Sequence, residues 1–479
     1  MTSGWREKVE KDLGGAGFER TLVTKLPGSL RIQPLYDVAD REGRTIRVGR
    51  AGAVSLAVVR WAGPGVDAPV VAGGGRWILG ETSATDGLVE ANGALRDRGE
   101  PLAHALDVHE GGGSVPLEVA VAIGRFLDGV RSTGRAPALG VAVGTEIFVE
   151  IAKLRALRAL ASRAAEALLG GPVAVRIAAR TSLVSFSRIE PQTNALRATL
   201  GCVAAIVGGA DLVATAPYDL LAPSTDPEVR ARAERLAATT GLVATLESHL
   251  ASTIDPAHGA YFVEALTADV CARAWDIVRE LERAGGAAAA PGVWRERLAA
   301  DAELRRRDAA CGKLPRVGAS RLAAPGAPAE GALHPLAAHV FRDTAAFEML
   351  REVARPVSLV IAGDARKLGP REDYVRDVVA AWGARTDPLR YASVAEATEV
   401  VLRSALHDVV VVCVEDADFA VLSPLVRRLA QSAGSARAVV IAGRPGASEG
   451  ALREAGARAF LHLGADLVAV AREIFGGAG

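Results

Sequence analysis

The sequence predicts an α/β protein built on parallel sheets, and three observations carry that prediction. Between residues 146 and 217, apolar strands and amphipathic helices alternate with almost no intervening loop. Between residues 357 and 463, five short apolar runs are separated by helical stretches. Between residues 315 and 335 the composition turns to Ala, Gly and Pro with little charge, which marks a linker. Strand, helix and strand at this spacing make a parallel unit, so two α/β parts joined by a linker are expected.

The segment from 146 to 217 organises the first part. A helix begins at Glu146 and runs to Leu169, with Leu154, Leu157, Ala161, Ala164 and Leu168 recurring every three or four residues. That recurrence is one apolar stripe, and it should face a sheet. Gly170-Gly171-Pro172 ends the helix, because Gly accepts the left-handed cap and Pro cannot continue the ladder. In the strand that follows, Val173, Val175, Ile177 and Ala179 share one face, and Ala174, Arg176, Ala178 and Arg180 share the other. Thr181-Ser182 ends this strand, 191–210 reads as a helix, and 212–216 is the next strand, stopped by Pro217.

Before this segment, a short charged helix over 5–13 is broken by a Gly-rich stretch. Strands are expected at 55–61, 77–79, 102–108 and 139–143, with a helix at 117–130. After it, Asp226-Pro227 caps a helix that runs through Leu246. Asp255 to Gly259 makes a turn, and a long helix covers 263–284. A connecting helix, 337–353, leads into a five-stranded doubly wound sheet with strands at 357–362, 389–391, 409–414, 438–442 and 459–463.

Composition narrows the function classes. Half of the 479 residues are hydrophobic, enough for two well-buried domains. Lys plus Arg equals Asp plus Glu at 56 each, which gives no electrostatic case for nucleic acid or an anionic membrane. No apolar run is long enough for a signal core or a bilayer span, so the expected location is cytoplasmic. Cys202, Cys271, Cys311 and Cys413 lie far apart, outside metal-ligand spacing, and read as reduced thiols.

Three consecutive stretches, VEIAKLRALRA, ARTSLVSFSRIEPQTNALRATLGCVAAIVGGADLVATAP and LESHLASTIDPAHGAYFVEALT, resemble in order and spacing the signatures of the methylmalonyl-CoA mutase family. The resemblance implies a (β/α)8 TIM-type barrel for acyl-CoA, followed by a flavodoxin-like cobalamin-binding-like domain. Six barrel strands can be counted through Ala216, so shortening of the barrel is left open. The expected division is an N-terminal partner arm over 1–40, the barrel over 41–314, a linker and connecting helix over 315–355, and a degenerate cobalamin-binding-like domain over 356–479. The arm resembles the partner-wrapping segment of small subunits, and an ordinary N-terminal strand is the alternative.

Inward-facing candidates in the barrel are small: Ala103, Ala105, Gly140, Ala142, Gly144, Ala174, Ala178 and Thr215, with Asp107 among them. They leave either a bore for a pantetheine arm or a squeezed, ligand-free barrel. Arg176 and Arg180 on the same face must pair with carboxylates such as Asp107 or meet an anion, because unpaired charge is costly in a low dielectric. Together with Thr181, Gln192 and Asn194 they are the substrate-binding candidates. Glu150 and Lys153, three apart on a helix, are either a structural ion pair or part of the barrel mouth. His258 reads as surface variation.

Departures from the family pattern point away from catalysis. Where catalytic members usually carry a histidine that contacts the acyl-CoA, this chain has Ala216, which cannot donate a hydrogen bond from its side chain or move a proton. Asp364 and Gly369 keep the spacing of the family's cobalamin loop, but Arg366 stands at the cobalt-ligand position. A guanidinium has no lone pair to give a metal. Glu415 and Asp416 would oppose the cofactor's phosphate, and only Gly443 remains of a usual glycine pair. The resemblance therefore implies the small, beta-type, non-catalytic subunit of a heteromeric adenosylcobalamin-dependent mutase, with the cofactor in a larger partner and no metal or cofactor on this chain. A self-sufficient divergent mutase and a stand-alone acyl-CoA-binding protein are the rival readings.

Overall fold

Two parallel sheets organise the chain in a computed structural model that describes residues 3–37, 40, 57–60, 102–431 and 437–476. The chain divides into two compact units. The first comprises residues 1–186, 194–305 and 332–342; the second comprises 187–193, 306–331 and 343–479.

In the first unit, α1 (Ser3–Asp12) and α2 (Phe18–Thr21) precede a small antiparallel pair, β1 (Thr24–Lys25) and β2 (Arg31–Ile32). The main sheet contains β3 (Ala57–Arg60), β4 (Leu102–His104), β5 (Ala138–Val143), β6 (Ile177–Thr181) and β7 (Leu212–Thr215). Their order is β3-β7-β6-β5-β4, and every neighbouring pair is parallel. The helices are α3 (Leu106–Glu110), α4 (Val115–Thr133), α5 (Ile147–Leu169), α6 (Thr193–Val207), α7 (Pro227–Leu242), α8 (Tyr261–Arg283) and α9 (Pro291–Ala310). Among the described residues the five strands do not close on themselves, and the strand expected at 77–79 lies outside those residues.

The apolar stripe of α5 faces the core as its spacing predicts: Leu154, Leu157, Ala161 and Ala164 are buried. Leu168 does not follow and is exposed, while Leu169 beside it packs against the core. Gly170 caps the helix at φ +77°, with its N–H on the Glu166 carbonyl at 3.0 Å. Strand β6 begins only at Ile177, where pairing with Leu139 starts, so residues 173–176 lie before the strand. Its alternation holds from there: Ile177, Ala179 and Thr181 are buried, while Ala178 and Arg180 are half-buried.

A larger correction concerns 102–108. The strand stops at His104 and the chain turns into α3, so Asp107 is helical rather than on a strand face. The N-terminal arm also differs from an exposed segment. Phe18, Val23 and Leu30 are buried within this chain, and Leu30 joins the main core of the unit.

In the second unit, α10 (Ala345–Val353) is shorter than the expected connecting helix, because Pro335 opens only a single 3-10 turn before the chain loops. The sheet follows with β8 (Val357–Ala362), β9 (Thr386–Tyr391), β10 (Val409–Cys413), β11 (Ala438–Ala442) and β12 (Ala457–Leu461). Between them run α11 (Ala365–Ala381), α12 (Val394–Val400), α13 (Ser423–Ala430) and α14 (Glu449–Glu454), and α15 (Leu467–Phe475) closes the unit. All neighbours are parallel in the order β12-β11-β10-β8-β9. Numbered from the first strand of the sheet, this is 2-1-3-4-5. Helices cover both faces, because alternate residues of β8 and β10 feed two separate apolar clusters: Leu359 and Val411 one, Val360 and Val412 the other.

Among the described residues, no helix is long and apolar enough to cross a membrane, and no group of His, Cys, Asp and Glu could hold a metal ion. The cysteines are free, and burial pushes the Cys271 and Cys413 thiols up to about 12.

Candidate functional site

Both sheets carry polar clusters at the C-terminal ends of the strands, where parallel α/β sheets bind ligands. In the first unit the ends of β5 and β6 are tied by Ser182 N–H donating to the Val143 carbonyl at 2.8 Å. The ends of β6 and β7 are tied by Ala216 N–H donating to Thr181 Oγ1 at 2.7 Å. Gly201 of α6 lets that helix close on the sheet, since a Cβ there would sit 2.8 Å from the Val143 carbonyl oxygen.

Behind these ends lies a buried charged cluster. Lys153 Nζ reaches Glu118 Oε2 at 2.9 Å, Glu150 Oε2 at 2.5 Å and the Ala142 carbonyl at 2.6 Å. Glu150 Oε1 accepts from Gly144 N–H at 2.9 Å. Glu118 Oε2 also lies 3.0 Å from His109 Nδ1, and His109 Nε2 lies 2.7 Å from Ser182 Oγ. Burial works against the Lys153 ammonium, but Glu118 and Glu150 outweigh it and raise its pKa. Burial likewise disfavours the Glu118 carboxylate, yet Lys153 and His109 hold its pKa below the ordinary range. Glu150 and Lys153 are thus an ion pair at the strand ends.

The substrate-binding candidates fare unequally. Arg180 pairs with Glu110, not with Asp107. Burial pulls its guanidinium down to about 10. Asp107 is held instead by Arg125, in two bonds of 2.6 and 2.8 Å. Arg176 precedes β6 and so lies at the opposite end of the strand from Thr181, five residues or roughly 16 Å away. It does not belong to the C-terminal mouth. Asn194 is buried and structural, donating to the Tyr218 carbonyl at 2.9 Å and accepting from Arg197 at 2.7 Å. Gln192 is exposed and falls in the second unit. His109, Glu118 and Ser182 had no sequence signal as a group, because His109 and Ser182 stand 73 positions apart.

In the second unit the segment around Arg366 is not an open loop. Asp364 caps α11 by accepting from Arg366 N–H at 2.8 Å, and the helix runs from Ala365 through Gly369 and Pro370. Arg366 is exposed. The crevice between β8 and β10, where the strand order reverses, is bridged by the protein's own side chains. Lys367 pairs with Glu415 at 2.9 Å and Arg371 with Asp416 at 2.5 Å. Arg371 also donates to the Val414 carbonyl and lies 5.7 Å from the Phe419 ring centre. The Phe419 ring closes over Gly443: a Cβ at Gly443 would meet Phe419 Cζ at 2.6 Å and Arg371 Nη1 at 3.4 Å.

A family model described as methylmalonyl-CoA mutase matches residues 133–343, the stretch that builds β5 to β7 and holds Glu150, Lys153 and Ser182 of the cluster. The methylmalonyl-CoA mutase small subunit of Streptomyces virginiae is 34% identical over 378 residues, 71% of this chain and 59% of that protein. The chain belongs to the methylmalonyl-CoA mutase family. Its similarity is to the small-subunit type. The probable methylmalonyl-CoA mutase small subunit of Mycobacterium bovis is 37% identical over 215 residues, 44% of this chain and 35% of that protein. The small subunit from Propionibacterium freudenreichii subsp. shermanii is 31% identical over 280 residues, 54% of this chain and 42% of that protein. The match spans less than two thirds of each of these relatives. At the position where the resemblance implies a cobalt ligand the chain carries the exposed guanidinium of Arg366, which has no lone pair to give a metal, and Phe419 and Arg371 lie against Gly443.

Proposed function

We propose that this chain is the small, non-catalytic subunit of a heteromeric adenosylcobalamin-dependent methylmalonyl-CoA mutase, with a structural and assembly role. In this reading the interconversion of methylmalonyl-CoA and succinyl-CoA takes place in a larger partner that carries the cofactor, in the cytoplasm. One observation carries it: Phe419 and Arg371 pack against Gly443 at the end of β11, and Arg371 also donates to the Val414 carbonyl at the end of β10. The small-subunit names of the relatives support the heteromer, since a small subunit implies a larger one.

The strand order 2-1-3-4-5 supports a flavodoxin-like second domain. Five parallel strands with intervening helices support a barrel-type first domain. The proposed division keeps 41–314 as the barrel and 356–479 as the degenerate domain, joined by the linker. The arm gives the partner less support than its apolar residues suggest, because Leu30, Phe18 and Val23 are already buried in this chain.

Co-expression with a large mutase subunit tests the proposal. A stable one-to-one complex is expected, with all bound cobalamin and all turnover assigned to the partner. Turnover of methylmalonyl-CoA by the isolated chain supplied with adenosylcobalamin would favour a self-sufficient mutase and overturn it.

A further inference from the structure

The cluster at the ends of β5 and β6 contains an arrangement that a structural ion network does not require. Lys153 pairs with both Glu118 and Glu150, yet Glu118 also holds His109, and His109 in turn faces a serine hydroxyl. The contacts run in one line: Glu118 Oε2 to His109 Nδ1 at 3.0 Å, then His109 Nε2 to Ser182 Oγ at 2.7 Å. A carboxylate on Nδ1 fixes the neutral ring as the tautomer with its proton on Nδ1, which leaves Nε2 to accept from the serine hydroxyl. Val184 N–H donates to the same Oγ at 3.1 Å, which turns the hydroxyl proton towards His109. The acid is fully buried and anchored by Lys153, while the histidine side chain keeps 12% of its surface open. Ser182 is buried and follows the last residue of β6, at the C-terminal end of the strands, where parallel α/β folds keep their sites.

We propose that Ser182, His109 and Glu118 form an acyl-transfer site whose substrates are activated carboxylic esters or thioesters. Ser182 is the nucleophile, His109 the general base and Glu118 the residue that orients the ring. Oγ forms a bond to the carbonyl carbon as its proton passes to His109 Nε2. The tetrahedral adduct collapses with cleavage of the bond to the leaving sulfur or oxygen, which takes the proton back from His109. Water then repeats the sequence on the acyl-serine, releasing the carboxylic acid and restoring Ser182. This activity is separate from the isomerisation and does not depend on the assembly role proposed above.

The full chain is treated with a fluorophosphonate, and the adduct is located by peptide mass mapping. Release of p-nitrophenolate from p-nitrophenyl acetate is followed in parallel. The expected result is a stoichiometric adduct on Ser182, a burst of one p-nitrophenolate per chain, and loss of both in a folded Ser182→Ala variant. His109→Gln should slow labelling by at least about 100-fold, the usual contribution of a general base. Absence of an adduct on Ser182 in the folded wild-type chain, or equal labelling rates with and without His109, would overturn the proposal. The wild-type mapping decides the matter even if a variant fails to fold.

Discussion

Lys153 of α5 and Glu118 of α4 meet at 2.9 Å across 35 positions of sequence, and neither side chain touches solvent. The pair locks the two helices together behind the strand ends. Removing one partner strands the other in a low dielectric, a more damaging change than replacing both. Lys153→Met should therefore cost about 3–5 kcal/mol of unfolding free energy. Urea titration of the full chain measures it, and a loss below about 1 kcal/mol would place the pair in an exposed-bridge regime that its burial contradicts.

The same pair gives a pH signature. Burial raises the Glu118 pKa, but Lys153 and His109 bring it below the ordinary value of 4.5 in the folded chain. A carboxylate depressed in this way contributes stability that is complete above its unfolded pKa. That stability is lost as pH falls through the folded value. The gap between wild type and Lys153→Met should thus be wide at pH 7 and narrow steadily below 4.5. Urea midpoints at pH 7 and pH 3.5 check this, and a gap independent of pH would contradict it.

How much of this was legible in the sequence depended on what fixed each element. The strands from 138 to 143 and 212 to 215 follow from local patterning, because each is an uninterrupted apolar run between helices. Residues 105–108 misled, since Ala105-Leu106-Asp107-Val108 alternates with the period of a strand while the chain makes a helical turn there. The error moved Asp107 onto an inward face and hid Glu110, the actual partner of Arg180. The sequence alone could not reveal the Glu118, His109 and Ser182 line, because the three residues come from α4, α3 and the end of β6 and meet only in the folded unit. In the second unit Arg366 at the loop position is read directly from the sequence, but the packing of Phe419 against Gly443 is not. Only folding brings Phe419 over Gly443.

That closure predicts the outcome of a simple rescue. Arg366→His restores an imidazole at the cobalt-ligand position but leaves Phe419 and Arg371 over Gly443. Equilibrium dialysis with adenosylcobalamin should detect no stoichiometric binding below about 10 μM, an affinity near 7 kcal/mol, for wild type or for this variant. Tight binding by the single variant would show that Phe419 and Arg371 do not obstruct the cofactor.

Asp255 sits at φ +47°, a left-handed conformation that costs most residues energy, and three contacts of 3.0 to 3.2 Å tie it to the buried Arg155. Arg155 also reaches Glu264 at 3.0 Å. Asp255→Gly relieves the backbone by about 1 kcal/mol but removes a charge partner from a buried guanidinium. The net change should be a destabilisation of at least about 2 kcal/mol. Thermal or urea unfolding of the variant would measure it, and a neutral or stabilised variant would mean that strain outweighs the pair.

The arm offers a last test, because its apolar residues split into two kinds. Leu30 is 1% exposed and belongs to the core of the first unit, whereas Leu35 is 37% exposed. If the arm is part of this chain's own fold, Leu30→Ala leaves a cavity in the isolated chain and should lower its stability by about 2–5 kcal/mol. Leu35→Ala removes little buried contact and should stay within about 0.5 kcal/mol in the isolated chain. In the complex with a large subunit the ranking can change only if the partner covers Leu35. Comparing both variants alone and in the complex therefore separates self-packing from partner-packing. A Leu30→Ala chain as stable alone as the wild type, but defective in assembly, would make the whole arm a partner element.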